Sequence, residues 1–190
     1  MIAGPSGSGK TTLATSLLEQ LVKNGYQFCL LDPEGDYEGF EGPVEMGGAA
    51  RPPDPNEIIK VLQQPDRSVS ANLLSLPLDE RPVFLARLIP LLQDLRTRFG
   101  RPHQLIIDES HHLLPKESDL PSWKSIRGTI FITVEPDSVA AGPLRLGKVL
   151  VATGRTPERT IARFKRALGI NHPPSMSPVQ LNEGHEGPVS

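Results

Sequence analysis

Apolar residues along this 190-residue chain fall into two patterns, short unbroken runs and longer stretches in which they return every third or fourth position. The short runs at residues 26–31, 69–74, 105–107, 129–134 and 148–152 are bounded by turn residues and predict buried strands. Met1, Ile2 and Ala3 form a further strand that is cut short before Gly4. Between these runs lie the helical patterns. Leu13, Leu17 and Leu21, with Leu18 and Val22 beside them, predict an amphipathic helix that stops at Asn24-Gly25. Asp54-Pro55 with Glu57 predicts a capped helix start, and Ile58, Ile59, Val61 and Leu62 supply its apolar face before Pro65-Asp66 ends it. From about residue 79, Phe84, Leu88, Leu91, Leu92, Leu95 and Phe99 line a longer helix that Gly100 closes and Pro90 should kink. Thr156-Pro157 opens a last helix, with Ile161, Phe164 and Leu168 inward and Gly169 as its stop. Residues 42–53 carry no period and read as irregular.

Strand and helix alternate throughout, so the expected fold class is α/β: three layers, with a mostly parallel central sheet of five or six strands flanked by helices. The length suits one domain, taken as residues 1–169. Residues 170–190 are rich in proline, serine and glycine without periodicity and are expected to form a flexible tail. Only three residues precede Gly4, which suggests that the chain is a fragment of a longer polypeptide.

Net charge changes this picture little. At −2 the chain is no polycation, so a nucleic-acid contact would need a local patch. One such patch exists: Arg145, Lys148, Arg155, Arg159, Arg163, Lys165 and Arg166 stand against the single acid Glu158, and Arg159, Arg163 and Arg166 share a helical stripe. The bland alternative is a solvated helix face. The single cysteine, Cys29, excludes an internal disulfide framework and is expected to be a small buried apolar residue in a strand. There is no apolar run long enough to span a membrane and no signal segment, so a cytoplasmic protein with no membrane partner is expected. The 20 prolines and 17 glycines imply many turns and sharply ended helices.

The chemistry is concentrated in two places. Gly4-Pro5-Ser6-Gly7-Ser8-Gly9-Lys10-Thr11-Thr12 matches the G-x-x-x-x-G-K-[ST] phosphate-binding loop, in which glycines let backbone N–H groups close around phosphate oxygens. Lys10 would reach the β- and γ-phosphates, Thr11 would ligate Mg²⁺, and the helix that follows would turn its positive end toward the anion. The second place is Asp108-Glu109, two carboxylates ending the apolar run 105–107. Asp108 would support Mg²⁺, while Glu109 would orient and deprotonate an attacking water. A structural role for Glu109, capping the next turn, is the alternative. The expected cofactors are therefore ATP and Mg²⁺. His111 is expected to couple the site to neighbouring contacts or simply to pack, and Thr133 and Glu135 to sense the γ-phosphate or to be ordinary strand-end polarity. Between Asp32 and Glu45 there are six acids and no base. Most of these read as solvated loop, but Asp32 and Asp36 sit where an α/β sheet places its site.

Four segments together resemble the HerA–FtsK branch of phosphate-loop ATPases: the loop at residues 4–12, the string Asp32-Pro33-Glu34-Gly35-Asp36-Tyr37, the stretch Asn72-Leu73-Leu74, and residues 105–114 with their Asp-Glu-x-His core. The resemblance implies a RecA-like sheet, a homo-oligomer in the form of a hexameric ring, nucleotide bound between subunits, and ATP hydrolysis coupled to movement along DNA. It also implies an arginine finger, for which Arg127, Arg145 and Arg155 are candidates. The sequence departs from the family where Thr133-Val134-Glu135-Pro136 stands in place of a Thr-Gln-x-Pro pattern. Two other readings stay open: a nucleotide or small-molecule kinase, since Gly-Pro-Ser-Gly-Ser-Gly-Lys also opens such enzymes, and a non-catalytic nucleotide-binding regulatory module. No Leu-Ser-Gly-Gly-Gln segment precedes residue 105, which argues against a transporter-type ATPase.

Overall fold

The computed structural model describes residues 1–118 and 128–170. Seven parallel strands form one sheet: β1 (Ile2–Ala3), β2 (Phe28–Asp32), β3 (Val44–Gly47), β4 (Val69–Asn72), β5 (Gln104–Ile107), β6 (Thr129–Thr133) and β7 (Val151–Ala152), in the order β3-β4-β2-β5-β6-β1-β7. Among the described residues six α-helices accompany them, α1 (Lys10–Lys23), α2 (Pro55–Leu62), α3 (Arg81–Phe99), α4 (Ser110–Leu113), α5 (Ala141–Leu144) and α6 (Pro157–Leu168), with a 3-10 turn at Pro136–Ser138. The expected α/β architecture is thus observed.

The central strands are apolar on both faces because both faces are covered. Side chains alternate along each strand, so Cys29, Leu31, Leu105, Ile107 and Phe131 enter one core cluster, where Ile58 and Leu62 of α2 and Leu88, Leu92 and Leu95 of α3 meet them. Phe28, Leu30, Ile106 and Ile132 face the opposite way and pack against Ala14 and Leu18 of α1. Each such Leu or Phe taken out of water contributes about 1.5–3 kcal/mol, so the two clusters make the three layers cohere. Phe164 and Leu168 of α6 rest against the first cluster.

Several helix ends are as the sequence predicts. Asp54 caps α2 by accepting from Asn56 N at 2.7 Å, with Pro55 in the first turn. Gly100 and Gly169 close α3 and α6 with φ of 68° and 66°, the left-handed conformation that favours glycine. Helix α3 runs through Pro90, which lies on its exposed face, where the carbonyl freed at Ala86 can turn to water.

Some details differ from expectation. The sheet has seven strands rather than five or six, because residues 42–53, expected to be irregular, contain β3. It is an edge strand whose hydrogen bonds come from β4 alone, and Val44 and Met46 alternate with Glu45 and Gly47, too short a pattern to announce itself. The run 148–152 yields only the two-residue β7, since its partner β1 offers only Ile2 and Ala3 to pair with. On α1 the buried apolar residues are Ala14 and Leu18, whereas Leu13 and Val22 are partly exposed, at 39% and 41%. On α3, Leu85 and Ile89 are buried and Phe99 is exposed. Cys29 is buried in β2 and unpaired, as expected. Among the described residues no helix is long and apolar enough to cross a membrane. The expected tail at 171–190 and Arg127 lie outside the described residues.

Candidate nucleotide site

Strand register carries both motifs to the carboxyl edge of the sheet. Ala3 pairs with Thr133, and Ile107 pairs with Phe131, so Gly4, Asp108 and Thr133 all emerge at one end. Strand β6 lies between β1 and β5. Two strand spacings, about 9.5 Å, therefore separate the phosphate-loop strand from the acid pair's strand. Gly4 N donates to Thr133 O at 3.3 Å, tying the loop's start to β6.

The loop conformation follows from its glycines. Gly7 and Gly9 have φ of 70° and 86°, which side-chain-bearing residues rarely adopt, and the space beside each is open. Gly4 is needed for a different reason. A Cβ there would collide with Thr153 Oγ1 and come within 2.7 Å of Ser8 Oγ. Ser8 Oγ and Thr153 Oγ1 are themselves hydrogen bonded at 2.7 Å, so the residue just after β7 braces the loop. Thr153 was not among the expected site residues; its only signal is a hydroxyl beside Gly154 at the end of an apolar run.

Helix α1 begins at Lys10 with Gly9 as its cap, no side-chain cap and no acid in its first turn. Its leading N–H groups are thus left for an external anion, and Lys10, Thr11 and Thr12 lie in that turn. Lys10 is buried, and its Nζ donates to Pro5 O at 3.1 Å, holding the loop closed on itself. Pro5 and Ser6 sit at the exposed tip.

Across the gap, Asp108 is buried and its Oδ1 accepts from Glu109 N at 2.8 Å. Glu109 itself is the one non-glycine residue with positive φ among those described, at 36°. Such a left-handed carboxylate costs on the order of 1 kcal/mol and points to a site that the surrounding fold over-determines. Burial and then the charge of Asp108 raise the Glu109 pKa to about 7, against the lowering effect of Lys10. The two halves of the site are therefore electrostatically in touch.

Asp32 is held by three backbone donors, Gly35 N and Asp36 N to Oδ1 at 2.8 and 3.1 Å and Tyr37 N to Oδ2 at 3.0 Å. Its role is to fold residues 33–37 into a turn. That turn brings Tyr37 into the core with its hydroxyl beside Asp108, close enough for charge coupling but outside hydrogen-bond geometry. Burial first, and neighbouring carboxylates after it, push Asp32 and Asp108 above the usual carboxylate range. Asn72, level with Asp32 in the sheet, caps its own turn through Leu74 N at 3.0 Å.

His111 Nδ1 lies 3.0 Å from Thr133 Oγ1 and 3.2 Å from Glu109 Oε2. His112 Nδ1 meets Arg81 Nη1 at 3.1 Å. One arginine of the helical stripe is engaged within the fold. Arg163 pairs with Asp137 at 2.6 Å and donates to Val134 O at 3.4 Å, so it holds α6 to the end of β6, while Arg145, Lys148, Arg155, Arg159 and Arg166 remain exposed.

Residues 1–129 match the sequence family described as the AAA domain. The chain belongs to that family. It is thereby a P-loop ATPase domain of the AAA type, and its seven-stranded parallel sheet agrees with that assignment. No curated protein matches the chain. This AAA domain is similar in fold to the genome packaging NTPase B204 from Sulfolobus turreted icosahedral virus 2. The complex of that protein with ATP-gammaS is 13% identical with a TM-score of 0.58, the match covering 90% of this chain and 84% of that one. The AMPPCP complex is 16% identical with a TM-score of 0.59 over 90% and 84%, and the sulfate complex 14% with 0.59 over 90% and 83%.

The residues fit a nucleotide with a divalent cation. Among the described residues no three acids, histidines or cysteines gather as a metal cage. A single carboxylate, Asp108, and the Thr11 hydroxyl suit a Mg²⁺ that takes its other ligands from phosphates and water. Burial, and then the charges of Asp32 and Asp36, raise the Asp108 pKa, a strain that a cation bound there would relieve.

Proposed function

We propose that this AAA domain binds Mg²⁺ and ATP and hydrolyses ATP to ADP and phosphate. The observation that supports it best is the placement of Lys10 and Glu109 on either side of the β6 end, electrostatically coupled, with Glu109 poised to titrate near neutrality. The loop Gly4, Pro5, Ser6, Gly7, Ser8, Gly9, Lys10, Thr11 and Thr12 would wrap the phosphates, its donors coming from amides other than Gly4 N and Ser8 N, which are taken by Thr133 O and Pro5 O, and Pro5, which has no N–H. On binding, Lys10 leaves Pro5 O for the phosphates, and the first turn of α1 faces their charge. Glu109 orients the attacking water and takes its proton, and a carboxylate with a pKa near the working pH is suited to that task. Mg²⁺ held by Thr11 and Asp108 would neutralise charge on the phosphate oxygens. Positioning of water against the phosphate supplies most of the rate.

The finer assignment is to the HerA/FtsK-like motor type, acting on DNA as a homo-oligomer in the cytoplasm. It draws on the Asp32 to Tyr37 string and on likeness to an NTPase whose description is genome packaging. DNA would meet the exposed Arg145, Lys148, Arg155, Arg159 and Arg166; Arg163 is committed to Asp137. The functional unit is residues 1–169. A kinase lid in the 145–166 stretch finds no support, because α6 packs its apolar side on the core.

Phosphate release from ATP, measured with Mg²⁺ and with or without double-stranded DNA, tests this. Turnover abolished by Glu109→Gln and stimulated by DNA is the expected result. ADP formation that depends on an acceptor and phosphorylates it without free phosphate, or turnover that survives Glu109→Gln intact, would overturn it.

A further inference from the structure

We propose that His111 is a positioning residue for the Glu109 carboxylate, Thr133 fixing the ring so that its Nδ1 edge stands against Oε2 as the donor that this oxygen takes up. This rests on Glu109 acting as the base. Glu109 Oε2 is buried without a hydrogen bond, and a buried carboxylate oxygen left unpaired is costly. The donor placed beside it is His111 Nδ1 at 3.2 Å. Thr133 Oγ1 lies 3.0 Å from the same nitrogen and is itself fully buried and held by Glu135 N at 3.0 Å. The ring is thus referenced to β6, the strand between the two halves of the site, rather than to a loop.

The remaining surroundings keep the ring in place. Ser110 Oγ donates to Ile132 O at 2.7 Å, anchoring the start of α4 to the same strand. The His112 ring packs against that of His111 with centroids 4.1 Å apart. Burial, and then the neighbouring His112, lower the His111 pKa to about 4, so the ring is neutral near pH 7 and carries one N–H. In this structure the hydrogen bond at Nδ1 is the one to Thr133 Oγ1, which sets the same ring edge 3.2 Å from Glu109 Oε2, so a small turn of the carboxylate would bring that oxygen onto the N–H. The consequence is specific: loss of the ring frees the carboxylate to swing, and misplacement of a base on the order of an ångström costs up to about 10²-fold in rate.

The test compares His111→Ala, His111→Asn and His111→Gln with the wild-type domain and Glu109→Gln. Asn can return an N–H near the Nδ1 position, whereas Gln extends past it. The expected result is a kcat for ATP hydrolysis reduced about 10- to 100-fold in His111→Ala with KM for ATP unchanged, and recovered in His111→Asn but not His111→Gln. Equal loss in all three, or no loss in His111→Ala, would overturn the proposal. If His111→Ala does not fold, the Asn and Gln pair decides. Histidine side-chain ¹⁵N–¹H spectra read the same contact without turnover, with His111 assigned by its absence from His111→Asn. An Nδ1-protonated tautomer whose signal shifts in Glu109→Gln is expected, and an Nε2-protonated ring would overturn the assignment. Wild-type turnover equal to that of Glu109→Gln would refute the hydrolysis reading, and the spectra would then judge the contact alone.

Discussion

Replacing Glu109 with glutamine should make the ligand-free domain more stable at pH 8 while leaving it nearly unchanged at pH 5. The Glu109 pKa stands at about 7 in the folded chain against an ordinary value of 4.5. Between those two values the native state binds more protons than the unfolded one, so stability falls as pH rises from 4.5 to 7 and levels off above. A shift of that size would correspond to about 3 kcal/mol for a wholly enclosed group. Solvent reaches part of the carboxylate, whose side chain is 19% exposed, so an effect nearer 1–2 kcal/mol is expected. Glutamine keeps the shape and removes the titration, leaving the left-handed backbone strain in both proteins. Urea unfolding at pH 5 and pH 8, with chelator and no nucleotide, reads the difference as a midpoint gap of about 0.5–1 M that opens with pH. Parallel curves for the two proteins across that range would refute the reasoning, because Glu109 would then have no raised pKa to relieve. The same titration predicts that turnover rises with pH and is half-maximal near 7.

Gly4→Ala should destabilise the domain by about 1–3 kcal/mol, because the new methyl meets Thr153 and Ser8, and should weaken fluorescent-nucleotide binding; an unchanged melt and affinity would count against the tight packing of the loop. Asp32→Asn should cost about 1–3 kcal/mol in urea unfolding, since an amide cannot accept from all of Gly35, Asp36 and Tyr37 and would turn a donor against one of them. Cys29 is fully buried with its thiol pKa pushed up to about 12, so it should resist a thiol reagent in the native domain and react with one equivalent in denaturant, as absorbance would show.

What the sequence made legible was whatever had a strong local cause. The two-sided burial of β2 and β5 appears as unbroken apolar runs, and the glycine stops of α3 and α6 follow from backbone sterics alone. The loop and the acid pair stand out because each is a short local pattern of the kind that phosphate and cation chemistry would constrain. Contacts between distant segments were not. Nothing near Thr153 announces that it braces Ser8, 145 positions away. Strand β3 escaped notice because an edge strand needs only one partner and little apolar surface. The arginine stripe on α6 has a correct helical period, yet period alone does not reveal that Asp137 is in reach of Arg163.

The acidic string after β2 gains its meaning only in three dimensions. Its first residue, Asp32, spends its carboxylate on three backbone N–H groups, so it shapes a turn rather than meeting a ligand. The turn delivers Tyr37 to the side of Asp108 and presents Pro33 O to the buried Arg81 at 3.1 Å. Arg81 also donates to Leu76 O at 3.2 Å and reaches His112, the neighbour of His111. One guanidinium thereby ties the loops after β2, β4 and β5 together. Two motifs some 70 positions apart in the chain are in this way one mechanical unit. A displacement of the Asp32 turn would therefore be felt at Asp108 through Tyr37, and at His112 through Arg81.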